Sequence, residues 1–179
     1  MKKDNSYGDK KKKTYMILST AAIIIGLLMT GWQTMANSRS SVELAYSDIT
    51  TVIRMMQEPV TAFTDAAAEE GGASGDRISA VNEAYEDLAA AASVRERSDA
   101  EKVLSKALDA LLSEADESGL ARSAYKEARD KVTDSLSKWT EAAEKYNEKA
   151  KAYNKAVTGF PTRIMAMIMQ YETVDLIEV

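Results

Sequence analysis

The sequence predicts an all-α protein with a single N-terminal transmembrane helix followed by an antiparallel up-down four-helix bundle. Three observations carry this prediction. A long uncharged apolar run lies near the N-terminus, and an aromatic residue recurs at every seventh position in Tyr146, Tyr153 and Phe160. The chain of 179 residues also contains only two prolines and two phenylalanines. A composition rich in Ala, Glu, Lys and Ser favours helix over sheet.

The uncharged run predicts a transmembrane signal-anchor at residues 14–36. No residue from 14 to 38 is charged, and about 20 apolar residues at ~1.5 Å each cross a ~30 Å hydrocarbon core. Tyr15 and Trp32 lie near its two ends, where aromatic rings anchor in the interface. Six lysines within residues 1–13 predict that this basic tail is cytoplasmic and that the bundle, residues 37–179, is extracytoplasmic.

A cleaved signal peptide ending near Ala36 is the alternative. The apolar run is long for such a peptide, and Thr34 is a poor residue three places before the cleavage point. We therefore favour an uncleaved anchor.

The first helix of the bundle is expected to begin near Asn37 or Ser38, which are both good N-cap residues. Apolar residues then recur at alternating spacings of four and three, which is the pattern of one buried helix face. Pro59 interrupts the hydrogen bonding, but the pattern keeps its phase, so a kink is expected rather than a break. The predicted buried face comprises Val42, Tyr46, Ile49, Ile53, Met56, Val60, Phe63 and Ala67.

The residues from Gly71 to Gly75 predict a turn, with Asp76 opening the second helix. That helix contains two apolar sets that are out of phase with each other. Ser98 and Glu101 between them match a capping box, so a break within residues 95–101 is considered. The two sets are Ile78, Val81, Tyr85, Leu88 and Ala92, then Leu104, Leu108, Leu111 and Ala115.

The third helix is expected from about Leu120 to Thr158, where Gly159 and Pro161 end it. Two rows of residues at heptad spacing predict one packed face, as in a coiled coil. These rows are Val132, Trp139, Tyr146, Tyr153 and Phe160, and Leu136, Ala143, Ala150 and Val157.

A final helix is predicted from Thr162 to about Asp175. Counting helices outward from the membrane places the turn at residues 158–162 at the far tip, beside the glycine-rich turn at residues 71–75. The tail from Leu176 to Val179 would then lie over an exposed groove. Deleting residues 175–179 is expected to spare thermal stability.

The residue inventory excludes several kinds of chemistry. The chain has neither cysteine nor histidine, so disulfides, ordinary zinc or haem ligation and Ser-His or Cys-His catalysis are unavailable. Adjacent carboxylates such as Glu69 and Glu70 point in different directions on a helix and do not form an acid/base pair. We predict no catalytic, metal-binding or cofactor-binding residue and no cofactor. The acidic main domain would repel phosphate backbones, so no nucleic-acid partner is expected.

One C-terminal motif resembles a known family. This motif consists of three residue pairs at seven-residue spacing, and it is similar, without a gap, to the hallmark of the LemA family. The pairs are Tyr146-Asn147, Tyr153-Asn154 and Phe160-Pro161. The resemblance implies a bacterial protein of the cytoplasmic membrane, with one N-terminal membrane segment and a helical bundle, and it implies no established activity. The chain departs from the family where paired arginines and Asp-Leu-Ile-Pro are usual. Residues 54–59 take that place here.

Side chains near this motif are candidates for structural or partner roles. Asn147 and Asn154 are expected to bond across to the final helix or to fix helix register, with ligand binding as the less favoured alternative. The methionines of the final helix are interpreted as buried, or as an adaptable apolar surface for a partner protein or the lipid interface. The candidate partner-contact residues are Met165, Met167, Met169, Leu176 and Ile177.

The function predicted from these patterns is that of a non-enzymatic, membrane-anchored scaffold or protein-interaction module of the cell envelope. Its expected partners are the lipid bilayer and an envelope protein, and homo-oligomerisation stays open. A small-ligand receptor bundle and, less favoured, an envelope enzyme using carboxylates alone are the alternatives.

Overall fold

The computed structural model describes residues 5–69, 73–117 and 123–178, most of which are helical. None of these residues forms a β-strand. The predicted all-α class is therefore confirmed. The helices are α1 (Asn5–Glu69), α2 (Gly75–Ala90), α3 (Val94–Glu117), α4 (Ser123–Thr158) and α5 (Thr162–Met169).

The chain forms two compact units. Unit 1 contains residues 1–40 and 152–173, and unit 2 contains residues 41–151 and 174–179. The long helices α1 and α4 each contribute one part to each unit. Unit 1 therefore holds the apolar span with α5, and unit 2 holds the packed helices.

α1 is longer than the sequence predicted, because the apolar span and the first bundle helix are one helix. It runs from Asn5 to Glu69 without a new start at Asn37 or Ser38. A continuous helix bonds its own backbone there and needs no N-cap. Pro59 lies inside α1, which confirms that the proline does not end the helix. One window of this helix is long and apolar enough to cross a membrane.

The buried face of α1 in unit 2 agrees with the predicted spacing. Tyr46 differs from the others, because its ring is half-buried and its hydroxyl donates a 2.9 Å hydrogen bond to the carbonyl oxygen of Ala92. The fully buried members are Val42, Ile49, Ile53, Met56, Val60, Phe63 and Ala67.

The predicted second helix is two helices, α2 and α3, and the capping box lies five residues before the predicted one. The Glu96 carboxylate accepts hydrogen bonds from the backbone N–H groups of Ala92 and Ser93 at 3.0 and 2.9 Å. The Ser93 hydroxyl accepts the N–H of Glu96 in return. These backbone N–H groups hold the pKa of Glu96 below its usual value. Ser98 is buried inside α3, so the predicted box of Ser98 with Glu101 is wrong.

α4 packs with the two heptad rows that the sequence predicted. Leu136 is the half-buried exception within unit 2. The buried members of the two rows are Val132, Trp139, Ala143, Tyr146, Ala150, Tyr153 and Val157.

In unit 2, residues of α1 meet residues of α4 in reverse order. The rings of Tyr46 and Tyr146 lie 6.2 Å apart between centroids, and those of Phe63 and Tyr125 lie 5.7 Å apart. α2 also faces α1 in reverse order, because the Tyr85 hydroxyl bonds the Ile53 carbonyl oxygen at 3.1 Å while Ala92 meets Tyr46.

The region after α4 departs from its prediction in three ways. Phe160 was placed in the buried heptad row, but it is 85% exposed, because α4 ends at Thr158 and the heptad phase ends with it. The last helix is α5, which stops at Met169 rather than near Asp175. Gln170 adopts the left-handed conformation (φ 54°) that ends it, and residues 171–178 are not helical.

Two predicted boundaries lie partly outside the described residues. These are the first residues of the turn at 71–75 and the start of the third helix near residue 120. α2 begins with Ser74 as its N-cap residue rather than at Asp76. The Ser74 hydroxyl makes no cap bond and instead bonds the Glu114 carboxylate at 3.2 Å.

Candidate functional site

A set of polar side chains in unit 2 contacts the non-helical residues 174–178, here called the C-terminal tail. Four side chains that bind this tail form the tail groove. Two come from α3, Ser98 and Lys102, and two come from α4, Tyr146 and Asn147.

Asn147 binds the backbone of the tail in both directions. Its Nδ2 donates to the Ile177 carbonyl oxygen at 2.6 Å, and its Oδ1 accepts the Ile177 N–H at 2.9 Å. The side-chain amide is buried. Burying its N–H and C=O groups without partners would be costly, and both groups have a hydrogen-bond partner here. Asn147 therefore does not bond the final helix, as the sequence predicted, but bonds the extended tail that follows it.

Two further side chains bind the tail backbone on either side of Ile177. The Tyr146 hydroxyl donates to the Asp175 carbonyl oxygen at 2.9 Å. The Ser98 hydroxyl accepts the Glu178 N–H at 3.0 Å. Three helix side chains thus bind main-chain atoms of three tail residues, which is a mode of recognition that does not depend on the tail's own side chains.

One ion pair joins the tail to α3. Lys102 donates to the Glu178 carboxylate, and this hydrogen bond lowers the pKa of Glu178 and raises that of Lys102. The two side chains are 40% and 78% exposed. Exposed ion pairs contribute little stability, so this pair favours an acidic residue at that place without holding the tail by itself.

A cluster of Arg97, Tyr46 and Thr50 supports the ring of Tyr146. The Arg97 guanidinium lies 4.5 Å from the centroid of the Tyr46 ring and donates to the Ala91 carbonyl oxygen and the Thr50 hydroxyl. Tyr46 in turn packs against Tyr146. The cation is thereby buried with hydrogen-bond partners and an aromatic face, which lowers the cost of removing it from water.

The five candidate partner-contact residues are not equivalent in the structure. Ile177 is 2% exposed, so it is a packed side chain and not part of a tail lying over an open groove. Leu176 is 39% exposed, and Met167 is the most exposed of the three methionines at 72%. Met165 is half-buried in unit 1.

The three residue pairs of the family hallmark differ in burial and in contacts. Tyr146 and Asn147 bind the tail, and Tyr153 is buried while Asn154 is half-buried. Phe160 and Pro161 lie in the exposed turn between α4 and α5. Sequence reasoning did not single out Ser98 and Lys102 as groove residues, or Arg97 as part of the cluster behind Tyr146. The available signal was the charged stretch 95–101, which breaks the apolar pattern of the second predicted helix.

A second concave surface in unit 2 has the composition of a small-ligand site but little volume. It encloses about 290 Å³ and is lined by Val52, Met55, Pro59, Lys131 and Asp134, among others. Ligand pockets usually enclose roughly 300–1,000 Å³. The Asp134 carboxylate is bonded to Lys138 at 2.6 Å, so it faces a cation rather than a second carboxylate.

The hydroxyl of Tyr146 should lose its proton at a higher pH than that of an ordinary tyrosine. Burial, followed by the proximity of Tyr46 and Asp175, raises its pKa to about 12. Because the pKa in the folded protein lies above the ordinary tyrosine pKa of 10.0, this contribution to stability is complete below about pH 10 and is lost as the pH rises towards 12. A phenolate absorbance titration of the wild type and Tyr146→Phe tests this. The substitution should remove a late-titrating step, and loss of a step near pH 10 would contradict the burial of this hydroxyl.

These observations define the class of the protein, a helical protein with one N-terminal apolar helix continuous with a packed helical unit. Residues 35–179 match the sequence model of the LemA family, so the chain belongs to that family. The matched range contains the whole tail groove and the Tyr-Asn repeats. A comparison with curated proteins finds no match.

Proposed function

We propose that this protein is a non-enzymatic, membrane-anchored interaction module of the bacterial envelope, and that its tail groove holds an extended segment of a partner protein. The observation that carries the proposal is the binding of the tail backbone by Asn147, Tyr146 and Ser98. Its own C-terminal tail then occupies the site as a built-in competitor.

The apolar part of α1 supports the membrane anchor. Its most apolar window is only 6% buried, so its side chains need another apolar environment. α1 passes through Ala36 without a break, whereas a protease needs an extended segment at its cleavage point. This continuity favours an uncleaved anchor over a signal peptide.

We infer from the lysines of residues 1–13 that the N-terminus is cytoplasmic and the bundle extracytoplasmic. The chain lacks cysteine, so single introduced cysteines report topology cleanly. In cells whose outer barrier is permeabilised, a membrane-impermeant maleimide should label Lys151→Cys and leave Lys11→Cys unlabelled. Labelling of Lys11→Cys alone would reverse the orientation.

We further propose that α2, α3 and the parts of α1 and α4 in unit 2 form an antiparallel up-down four-helix bundle, in which α2 and α3 replace the single second helix and the final helix, α5, is not a member. The reversed pairing of α1 with both α4 and α2 supports this arrangement. The hydrogen bond from the backbone N–H of Ser74, which caps α2, to Glu114 near the end of α3 supports the same alternation.

The contacts of the groove indicate what kind of segment it would accept. Backbone contacts require an extended chain, since a helix has its N–H and C=O groups already bonded. The buried position of Ile177 favours an aliphatic side chain, and Lys102 favours an acidic residue directly after it. The proposed partner therefore carries an extended segment with an aliphatic residue followed by an acidic one.

A peptide experiment tests this proposal. A chain lacking residues 175–179, purified in detergent micelles, is titrated with a fluorescent peptide of residues 171–179. Saturable binding is expected, and Asn147→Leu should weaken it about tenfold or more, because two hydrogen bonds of about 1 kcal/mol each are lost. The intact chain should bind the peptide far more weakly, since its own tail fills the groove.

Two matched controls make the result specific. Lys151→Ala replaces an exposed residue of the same helix and should leave peptide affinity unchanged. A peptide with aspartate in place of Ile177 should not bind. Absence of saturable binding to the tail-deleted chain, in a sample whose helical signal is intact, would refute the groove as a peptide site.

A further inference from the structure

The short helix α5 and the turn before it carry a set of apolar side chains that unit 1 does not cover. Phe160 is 85% exposed and Ile168 is 64% exposed. Ile164, Met167 and Met169 are exposed as well. A water-soluble protein rarely leaves so many large apolar side chains together on one short element.

Within unit 1, α5 lies beside the C-terminal end of the apolar span. A Cβ placed on Gly31 would lie 3.3 Å from Cγ of Met165, so the absence of a side chain at Gly31 allows α5 to approach α1 closely. Further along, the Arg39 guanidinium lies 4.8 Å from the centroid of the Tyr171 ring. α5 therefore runs beside the stretch of α1 from Gly31 to Arg39.

That stretch of α1 is where the span changes from apolar to charged. Trp32 is 51% exposed there, and Arg39 is the first charged residue after the span. Tryptophan is enriched at the boundary between hydrocarbon and headgroups. The position of α5 thus coincides with the interface that the span itself defines.

We propose that α5 and the preceding turn, residues 160–169, insert their apolar side chains into the lipid interface as a second membrane contact. The proposal rests on the membrane anchor proposed above. Helices that lie in the interface bury one apolar face to a depth of about 5–10 Å and present cations to the headgroups. α5 contains no acidic residue, and its one cation, the exposed Arg163, can meet lipid phosphates.

The contact has a structural consequence for the span. A single helix can rotate and tilt in a bilayer, whereas two apolar elements joined by packing at Gly31 fix both angles. α5 would therefore orient unit 1 relative to the membrane plane. Covering of the same surface by a second copy of the chain or by another protein is the competing outcome.

Site-specific depth measurements on the full chain test the proposal. Single cysteines at Phe160 and Met167 are labelled with a polarity-sensitive fluorophore, and the protein is reconstituted in vesicles of phosphatidylcholine and phosphatidylglycerol. Brominated lipids should quench both labels strongly, while aqueous iodide should quench them weakly. Met55→Cys is the matched control, because Met55 is an exposed apolar residue about six helical turns further along α1. It should show the opposite pattern.

Ile24→Cys, in the middle of the span, separates the failure of this proposal from that of the anchor. If brominated lipid does not quench the fluorophore on Ile24→Cys, the proposed anchor is wrong. If it quenches the label at position 24 but neither the label at Phe160 nor the label at Met167, only the α5 contact is wrong. Labels on α5 that are shielded from both quenchers would mean that protein covers this surface, and they would also overturn the proposal.

Discussion

Replacing Trp139 by alanine is expected to lower the free energy of unfolding by about 3–5 kcal/mol, the range for deleting a buried aromatic side chain. Trp139 is the largest fully buried side chain in the described part of the chain and is 0% exposed. Its Nε1 has no hydrogen-bond partner among the described residues, so its contribution comes from packing and apolar burial. The substitution removes both and leaves a cavity.

Denaturant unfolding followed by circular dichroism in detergent micelles measures this effect. Lys151→Ala is the control, since Lys151 is an exposed residue of the same helix and its substitution should stay within about 0.5 kcal/mol. Equal and small effects of the two substitutions would mean that the heptad face of α4 does not form the core.

The burial of Trp139 was predictable, because heptad spacing indicates directly which face of a long helix is buried. The same spacing misplaced Phe160, because a pattern of residues does not record where the helix ends. α4 stops at Thr158, where the Gly159 N–H bonds the Lys155 carbonyl oxygen and a Cβ on Gly159 would lie 2.7 Å from that oxygen. Phe160 then leaves the helix surface despite its correct heptad position.

The boundary between α2 and α3 illustrates a choice that local sequence cannot make. Ser93 with Glu96 and Ser98 with Glu101 have the same capping-box spacing. The first caps α3, and Ser98 is instead buried against the backbone of residue 178. The choice depends on a contact between residues 80 positions apart, which neither capping pattern contains.

This misassignment also explains the predicted position of the last turn. With one long second helix, the turn at residues 158–162 was expected at the far tip beside residues 71–75. Because two helices, α2 and α3, replace the one predicted, the up-or-down direction assigned to each later helix is reversed. α5 accordingly contacts α1 at Gly31.

The tail was the least predictable part of the site. The residues after Met169 have no regular apolar period, and their order comes from tertiary contacts to Asn147 and Ser98. The asparagine could be singled out from the repeated Tyr-Asn pairs. Its partner could not, because an extended segment has no intrinsic signal of where it binds.

Replacing Ile177 by alanine is expected to cost about 2–5 kcal/mol of unfolding free energy, as for other buried isoleucines. The side chain is 2% exposed, and its backbone is held on both sides by Asn147. The adjacent Leu176→Ala is the matched control. Successive side chains of an extended segment point to opposite sides, and Leu176 is 39% exposed, so its cost should be about 1 kcal/mol or less.

This pair of variants also revises the expectation for deleting residues 175–179. The deletion removes Ile177 and leaves the buried Asn147 amide without its partner, so the melting temperature should fall rather than stay constant. Because the tail is not helical, its loss should lower stability while preserving the helical signal at low temperature. Thermal unfolding of the three variants beside the wild type provides the test. If Ile177→Ala and Leu176→Ala cost the same small amount, the tail is not seated through Ile177, and the groove is open in solution.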